Sequence, residues 1–123
     1  MKLHLDAPAG RNLISAYGEH YVNVNGVRHE KSLIVTPTEA VDEWLNGGFP
    51  SLTAGHFASL LAFKPEIVLL GTGARMQFPA AVLIRPLAET NVGCEVMDTF
   101  AACRTYNILV AEGRRVVAAL IVD

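Results

Sequence analysis

The residues best suited to chemistry gather at two places in the second half of the chain. Gly71-Thr72-Gly73, with Arg75 just beyond, follows the apolar run Ile67-Val68-Leu69-Leu70. Asp98-Thr99 follows a second apolar stretch, Val92 to Met97. A glycine-rich bend after a strand lets backbone N–H groups approach an anion, and helix N-termini favour negative charge. The bend is not a nucleotide fingerprint. A dinucleotide loop needs a third glycine where Met76 stands, and a phosphate loop needs Gly-Lys followed by Ser or Thr. The plainer role of the glycines is a tight turn with close packing. For Asp98 and Thr99 it is capping of the next helix, worth about 1 kcal/mol.

Topology adds weight to the pair. In open α/β sheets, crevices form outside the carboxyl ends of parallel strands. If the two strands are neighbours, both bends face one crevice. A small anionic metabolite would then be held by Gly71, Thr72, Gly73, Arg75, Asp98 and Thr99. Were that site catalytic, Asp98 would be its acid–base group. Other constellations are missing. His4, His20, His29 and His56 are scattered without metal spacing, and Cys94 and Cys103 form no C-x-x-C pair. Cys103 falls on the buried side of its helix and reads as core packing. No G-x-S-x-G elbow is present. No catalytic residue, metal site or cofactor is therefore expected.

The elements that must position these residues follow from pattern. Tyr21-Val22-Asn23-Val24 alternates, Asn25-Gly26 is a strong tight-turn pair, and Val27 to Val35 is expected to return antiparallel. Thr36 or Thr38 is expected to cap a short helix through Glu39, Val41, Trp44 and Leu45, ended by Gly47-Gly48. Glu39, Asp42 and Glu43 would then lie on its solvated face. A second helix starts near Thr53 and ends at Lys64-Pro65. Glu66 to Leu70, Val92 to Met97 and Arg115 to Val122 read as strands. Helices are expected between them, from Pro79 to Glu89 and from Asp98 to Glu112. Pro86 should kink or shorten the first of these. Strand–helix–strand–helix–strand with short joints implies parallel pairing. The expected fold is α/β: a single three-layer α/β/α domain over residues 1–123. Its mixed sheet has antiparallel N-terminal strands and parallel C-terminal strands.

In the last helix, at roughly 100° per residue, Thr99, Ala102, Cys103, Tyr106 and Val110 share the side facing the sheet. Ala101, Arg104, Thr105, Ile108 and Ala111 fall opposite. An isoleucine centred on that outer side suggests a cover, and Arg104, Thr105 and Ile108 become the candidate partner or dimer surface.

Composition limits the classes. The 123 residues are 51% hydrophobic and 18% charged, with a net charge of −2. That excludes a disordered tail, and it argues against a protein that binds nucleic acid by neutralising phosphates. His4 and Asp6 break up the N-terminal apolar residues, so no signal core is expected. The longest apolar run, Val116 to Val122, is far short of the roughly 20 residues a membrane helix needs. Two cysteines and no leader point to a reducing compartment, and a cytoplasmic location is expected.

Two ordered blocks carry a resemblance. One is Pro65-Glu66-Ile67-Val68-Leu69-Leu70-Gly71-Thr72-Gly73 with Phe78-Pro79. The other is Gly93-Cys94-Glu95-Val96-Met97-Asp98-Thr99 with the run Ala101 to Leu109. Asn25-Gly26-Val27 and Ser32-Leu33 extend it toward the N-terminus. The chain resembles a small family of α/β proteins without an established activity. Its members include a mitochondrial complex I assembly factor and an adipogenesis-associated vertebrate protein. The resemblance implies a three-layer α/β/α fold, frequent dimers, and action by binding other proteins. It draws attention to Gly71, Gly73, Asp98, Thr99, Arg104, Tyr106 and Asn107. Pro86 departs from the uninterrupted helix it implies. Three functions compete: a non-enzymatic binding or assembly factor with a protein partner or a second copy, a binder of a small anionic metabolite, and a purely structural part of a larger complex.

Overall fold

A computed structural model describes residues 1–3 and 10–123. His4 and Asp6 lie outside the described residues. The fold is organised by Val116–Leu120 (β8), in which every residue is buried. Its side chains alternate between two cores. Val116, Ala118 and Leu120 join one cluster, and Val117 and Ala119 join the other. A strand buried on both faces reads as a continuous apolar run, which is why Val116 to Val122 stands out in the sequence.

On one side β8 pairs in parallel with Ile67–Gly71 (β6), which pairs in parallel with Gly93–Met97 (β7). On the other side it pairs antiparallel with Leu33–Val35 (β4), and β4 pairs antiparallel with Ala40–Asp42 (β5). The result is a mixed five-stranded sheet in the order β5-β4-β8-β6-β7. The last three strands of the α/β half therefore run side by side in one direction, as their short joints require.

Ile14–Gly18 (β1), Tyr21–Val24 (β2) and Val27–His29 (β3) form a separate antiparallel sheet of three strands. Asn25 and Gly26 turn the β2–β3 hairpin with φ of 49° and 83°. Paired positive φ is the turn that Asn-Gly favours. Val27 to Val35 is not one returning strand. It divides after His29, so β3 stays with the hairpin while β4 enters the larger sheet.

The short helix expected after Thr36 does not form. Thr36 Oγ1 does accept hydrogen bonds from the Glu39 and Thr38 N–H groups, at 2.9 and 3.3 Å. Those bonds close a turn instead of starting a helix, and the chain returns as β5 with Val35 opposite Ala40. A threonine hydroxyl serves both structures equally well. Asp42 then meets His29 Nδ1 at 2.6 Å and Glu43 pairs with Lys31, so the acids expected on a solvated helix tie β5 to the β3–β4 connection.

Helices cover both faces of the large sheet. Ala54–Ser59 (α1) is capped by Thr53, whose Oγ1 accepts from His56 N–H, while His56 Nδ1 accepts from Thr53 N–H. A 3₁₀ turn over Leu60–Phe63 follows and ends at Lys64 in the left-handed region. Ala81–Glu89 (α2) begins two residues later than expected and continues through Pro86. Pro86 has no N–H for the Val82 carbonyl, and Val82 is itself exposed. Phe57, Leu60 and Leu87 from this layer pack on Val68, Leu70 and Val117. On the opposite face lie Thr99–Ala111 (α3) and the small sheet. The buried residues of α3 are Thr99, Ala102, Cys103, Tyr106 and Val110, the set its periodicity marks out.

Candidate functional site

The two bends meet at the carboxyl rim of the large sheet. Gly73 N–H donates to Thr99 Oγ1 at 2.8 Å, and Thr99 N–H donates to the Gly73 carbonyl at 2.9 Å. Thr99 Oγ1 donates onward to the Ile121 carbonyl at 2.7 Å. Thr72 N–H reaches the Met97 carbonyl at 2.9 Å. The Thr72 hydroxyl donates to the Arg75 carbonyl at 2.7 Å and accepts from Gln77 N–H at 3.1 Å. Thr72 and Thr99 are only 1% and 3% exposed. The Thr99 hydroxyl is thus spent on joining the bend after β6 to the end of β8, and the Thr72 hydroxyl on closing that bend and holding it to β7.

The glycines answer to the same packing. A Cβ on Gly71 would lie 3.0 Å from Thr99 Cα and 3.1 Å from a Leu120 methyl. Gly73 takes φ of 101°, and a Cβ there would meet the Asp123 carboxylate at 3.2 Å. Asp123 therefore brings the chain's own negative charge over the bend that looks, in sequence, like an anion cradle. Asp98 is the α3 N-cap, its Oδ1 accepting from Ala101 N–H at 2.9 Å. Arg75 is exposed and makes no ion pair with Asp98.

Beside the rim lies a cleft of about 380 Å³. It is walled by the tip of the β1–β2 hairpin (Glu19, His20 and Tyr21), by Gly73 and Ala74, by Thr99 and Phe100, and by Asp123. Of the six residues expected to hold a ligand, Gly73 and Thr99 reach this cleft. Gly71 and Thr72 lie buried, and Arg75 and Asp98 are not among the residues that line it. The hairpin tip and Asp123 escape sequence reasoning, because neither lies near the bends along the chain.

The outer side of α3 is less open than its helical wheel implies. Arg104 Nη1 donates to Tyr17 Oη at 2.6 Å, with its guanidinium 5.9 Å from the Tyr17 ring centre. Tyr17 in turn stacks on Phe100 at 4.8 Å. Thr105 is half-buried, and Ile108 is 59% exposed. Tyr106 Oη donates to the Asn12 carbonyl at 2.9 Å, and burial pushes its phenol well above the usual range. Burial likewise pushes the Cys94 thiol up to about 11 and Cys103 to about 12, so both stay protonated near neutral pH.

Met76, Phe78 and Val82 are also exposed, Phe78 at 74%. Met76 and Phe78 sit in the irregular stretch before α2, where no periodicity flags them. Among the described residues, no helix is long and apolar enough to cross a membrane, and no group of three His, Cys, Asp or Glu is placed to hold a metal ion.

This fold is shared with solved structures. A crystal structure of a Bordetella parapertussis protein is 44% identical, with a TM-score of 0.85, covering 94% of this chain and 100% of that one. A solution structure from Bordetella pertussis, described as a Mth938-like domain, is 37% identical with a TM-score of 0.79, covering 98% and 92%. Among curated proteins, the Francisella tularensis "13 kDa major membrane protein" is 30% identical over 99 residues, 80% of each chain. The bovine NADH dehydrogenase (ubiquinone) 1 alpha subcomplex assembly factor 3 is 34% identical over 110 residues, 88% of this chain. The chain spans 59% of that assembly factor's length. A family model described as "Protein of unknown function (DUF498/DUF598)" matches residues 14–121. From β1 through the end of the central strand β8, the chain belongs to the DUF498/DUF598 family.

Proposed function

We propose that the chain is a non-enzymatic binding or assembly factor. In this reading it works in the cytoplasm, through a protein partner or a second copy of itself, using Arg104, Thr105 and Ile108. The observation that carries the reading is Ile108. It is 59% exposed near the middle of α3, whose other large apolar side chains are buried or half-buried. Kinship with an assembly factor over 110 residues supports the same class of function.

The anionic-metabolite reading, on Gly71, Thr72, Gly73, Arg75, Asp98 and Thr99, has less in its favour. The Thr72 and Thr99 hydroxyls and the Asp98 carboxylate already have partners within the chain. Asp123 would repel an anion placed on the Gly73 bend.

The test is Ile108→Asp, compared with wild type by sedimentation velocity and by quantitative capture from native extract. Loss of a self-associated species, or of specific captured proteins, is expected with the circular dichroism unchanged. An identical oligomer and an identical set of captured proteins would overturn the reading.

A further inference from the structure

The cleft beside the sheet rim is not used by the α3 surface, and its chemistry differs from an anion site. We propose that it binds a small organic cation, an aryl- or alkylamine. The apolar body lies against Tyr21 and Phe100, and the ammonium group meets Asp123 and Glu19. At about 380 Å³ the cleft falls within the roughly 300–1,000 Å³ typical of small-ligand sites.

Charge sets the sign of the ligand. Glu19 and Asp123 both line the cleft, and His20 is the only side chain in its wall able to carry positive charge. Among the described residues neither carboxylate enters a salt bridge. At the start of α3, Asp98 Oδ1 holds the Ala101 N–H and the Gly73 carbonyl holds the Thr99 N–H. Both carboxylates are exposed, and an anion in the cleft would meet two like charges where an ammonium would meet two opposite ones.

The aromatic walls suit the same ligand. Tyr21 already carries the Arg28 guanidinium 4.0 Å from its ring centre. One face of that ring is therefore occupied within the chain, and Tyr21 enters the cleft wall as apolar surface. Gly73 has no side chain, so the Asp123 carboxylate sits close over the bend and stays beside the cleft. His20 Nδ1 contacts the Asp123 carbonyl and links the hairpin tip to the opposite wall.

The experiment is an amide NMR titration of the ¹⁵N-labelled full chain with phenethylamine, run beside 2-phenylethanol and phenylacetate. Saturable shifts are expected at His20, Gly73, Thr99 and Phe100 with the amine. Binding of the alcohol should be about tenfold weaker, a difference of about 1.4 kcal/mol, and phenylacetate should leave these amides unmoved. Asp123→Asn and Glu19→Gln, each shown folded by its own spectrum, should each weaken the amine several-fold. Non-saturable shifts, equal shifts with phenylacetate, or unchanged affinity in both variants would overturn the proposal. None of these outcomes depends on the α3 surface.

Discussion

The Asn107 side chain completes the backbone pairing of Ile14. Its Oδ1 accepts from Ile14 N–H at 2.9 Å and its Nδ2 donates to the Ile14 carbonyl at 2.8 Å. An amide side chain on α3 thereby acts as a one-residue strand against β1. With Arg104 on Tyr17 and Tyr106 on Asn12, it docks the helix onto the small sheet. Three of the family-like positions in the α3 block thus have a structural duty.

Asn107→Leu should remove both bonds and strand two partly buried backbone groups. A loss of about 2–4 kcal/mol is expected in urea unfolding. Asn107→Asp keeps the acceptor alone and should fall between Leu and wild type. Equal stability of all three would refute the strand-mimic role.

Thr99→Val preserves shape but leaves Gly73 N–H and the Ile121 carbonyl without their hydroxyl partner. A cost of about 2–3 kcal/mol is expected, with Thr99→Ser keeping most of the wild-type stability. Gly71→Ala should cost about 1–3 kcal/mol, because the backbone of Thr99 stands where the new methyl must go. Thermal unfolding of the three variants reads both effects.

Ile108→Asp should change unfolding free energy by no more than about 0.5 kcal/mol, since the side chain is mostly in solvent. A large destabilisation would mean that Ile108 serves the fold and not a partner.

Alkaline pH should weaken the fold through its thiols. Cys94 and Cys103 are raised by burial from 9.0 to about 11 and about 12. The unfolded chain therefore loses these protons first as pH rises. The stabilisation is fully present below about pH 9 and declines above it, by on the order of 1.4 kcal/mol per pH unit for each thiol until its folded value is reached. Urea midpoints should stay nearly level from pH 8 to 9 and fall from pH 9 to 10. Cys94→Ala with Cys103→Ala should flatten that slope, and native thiol labelling at pH 8 should be slow.

Local signals made much of the fold legible. Asn25-Gly26, the Thr53 cap, the buried stripe of α3 and the double-sided burial of β8 each rest on residues a few positions apart. Thr36 misled because its hydroxyl closes a turn as readily as it caps a helix, and only the pairing of Val35 with Ala40 decides between them. The two rim bends are legible as neighbours, since parallel strands with short joints leave them nowhere else. Their surroundings were not legible. Asp123 lies far along the chain from Gly73, as the hairpin tip does from Phe100, and no spacing rule connects them.

The position of β8 has a consequence for biogenesis. It follows every other described element in chain order, yet it is the strand to which both β4 and β6 are zipped. As the polypeptide leaves the ribosome, the β4–β5 and β6–β7 pairs must wait with raw apolar edges until the strand that unites them is synthesised. Contacts so distant in sequence are slow to form. The chain should therefore remain a client of chaperones until β8 emerges, and a nascent chain stalled before Val116 should aggregate instead of folding.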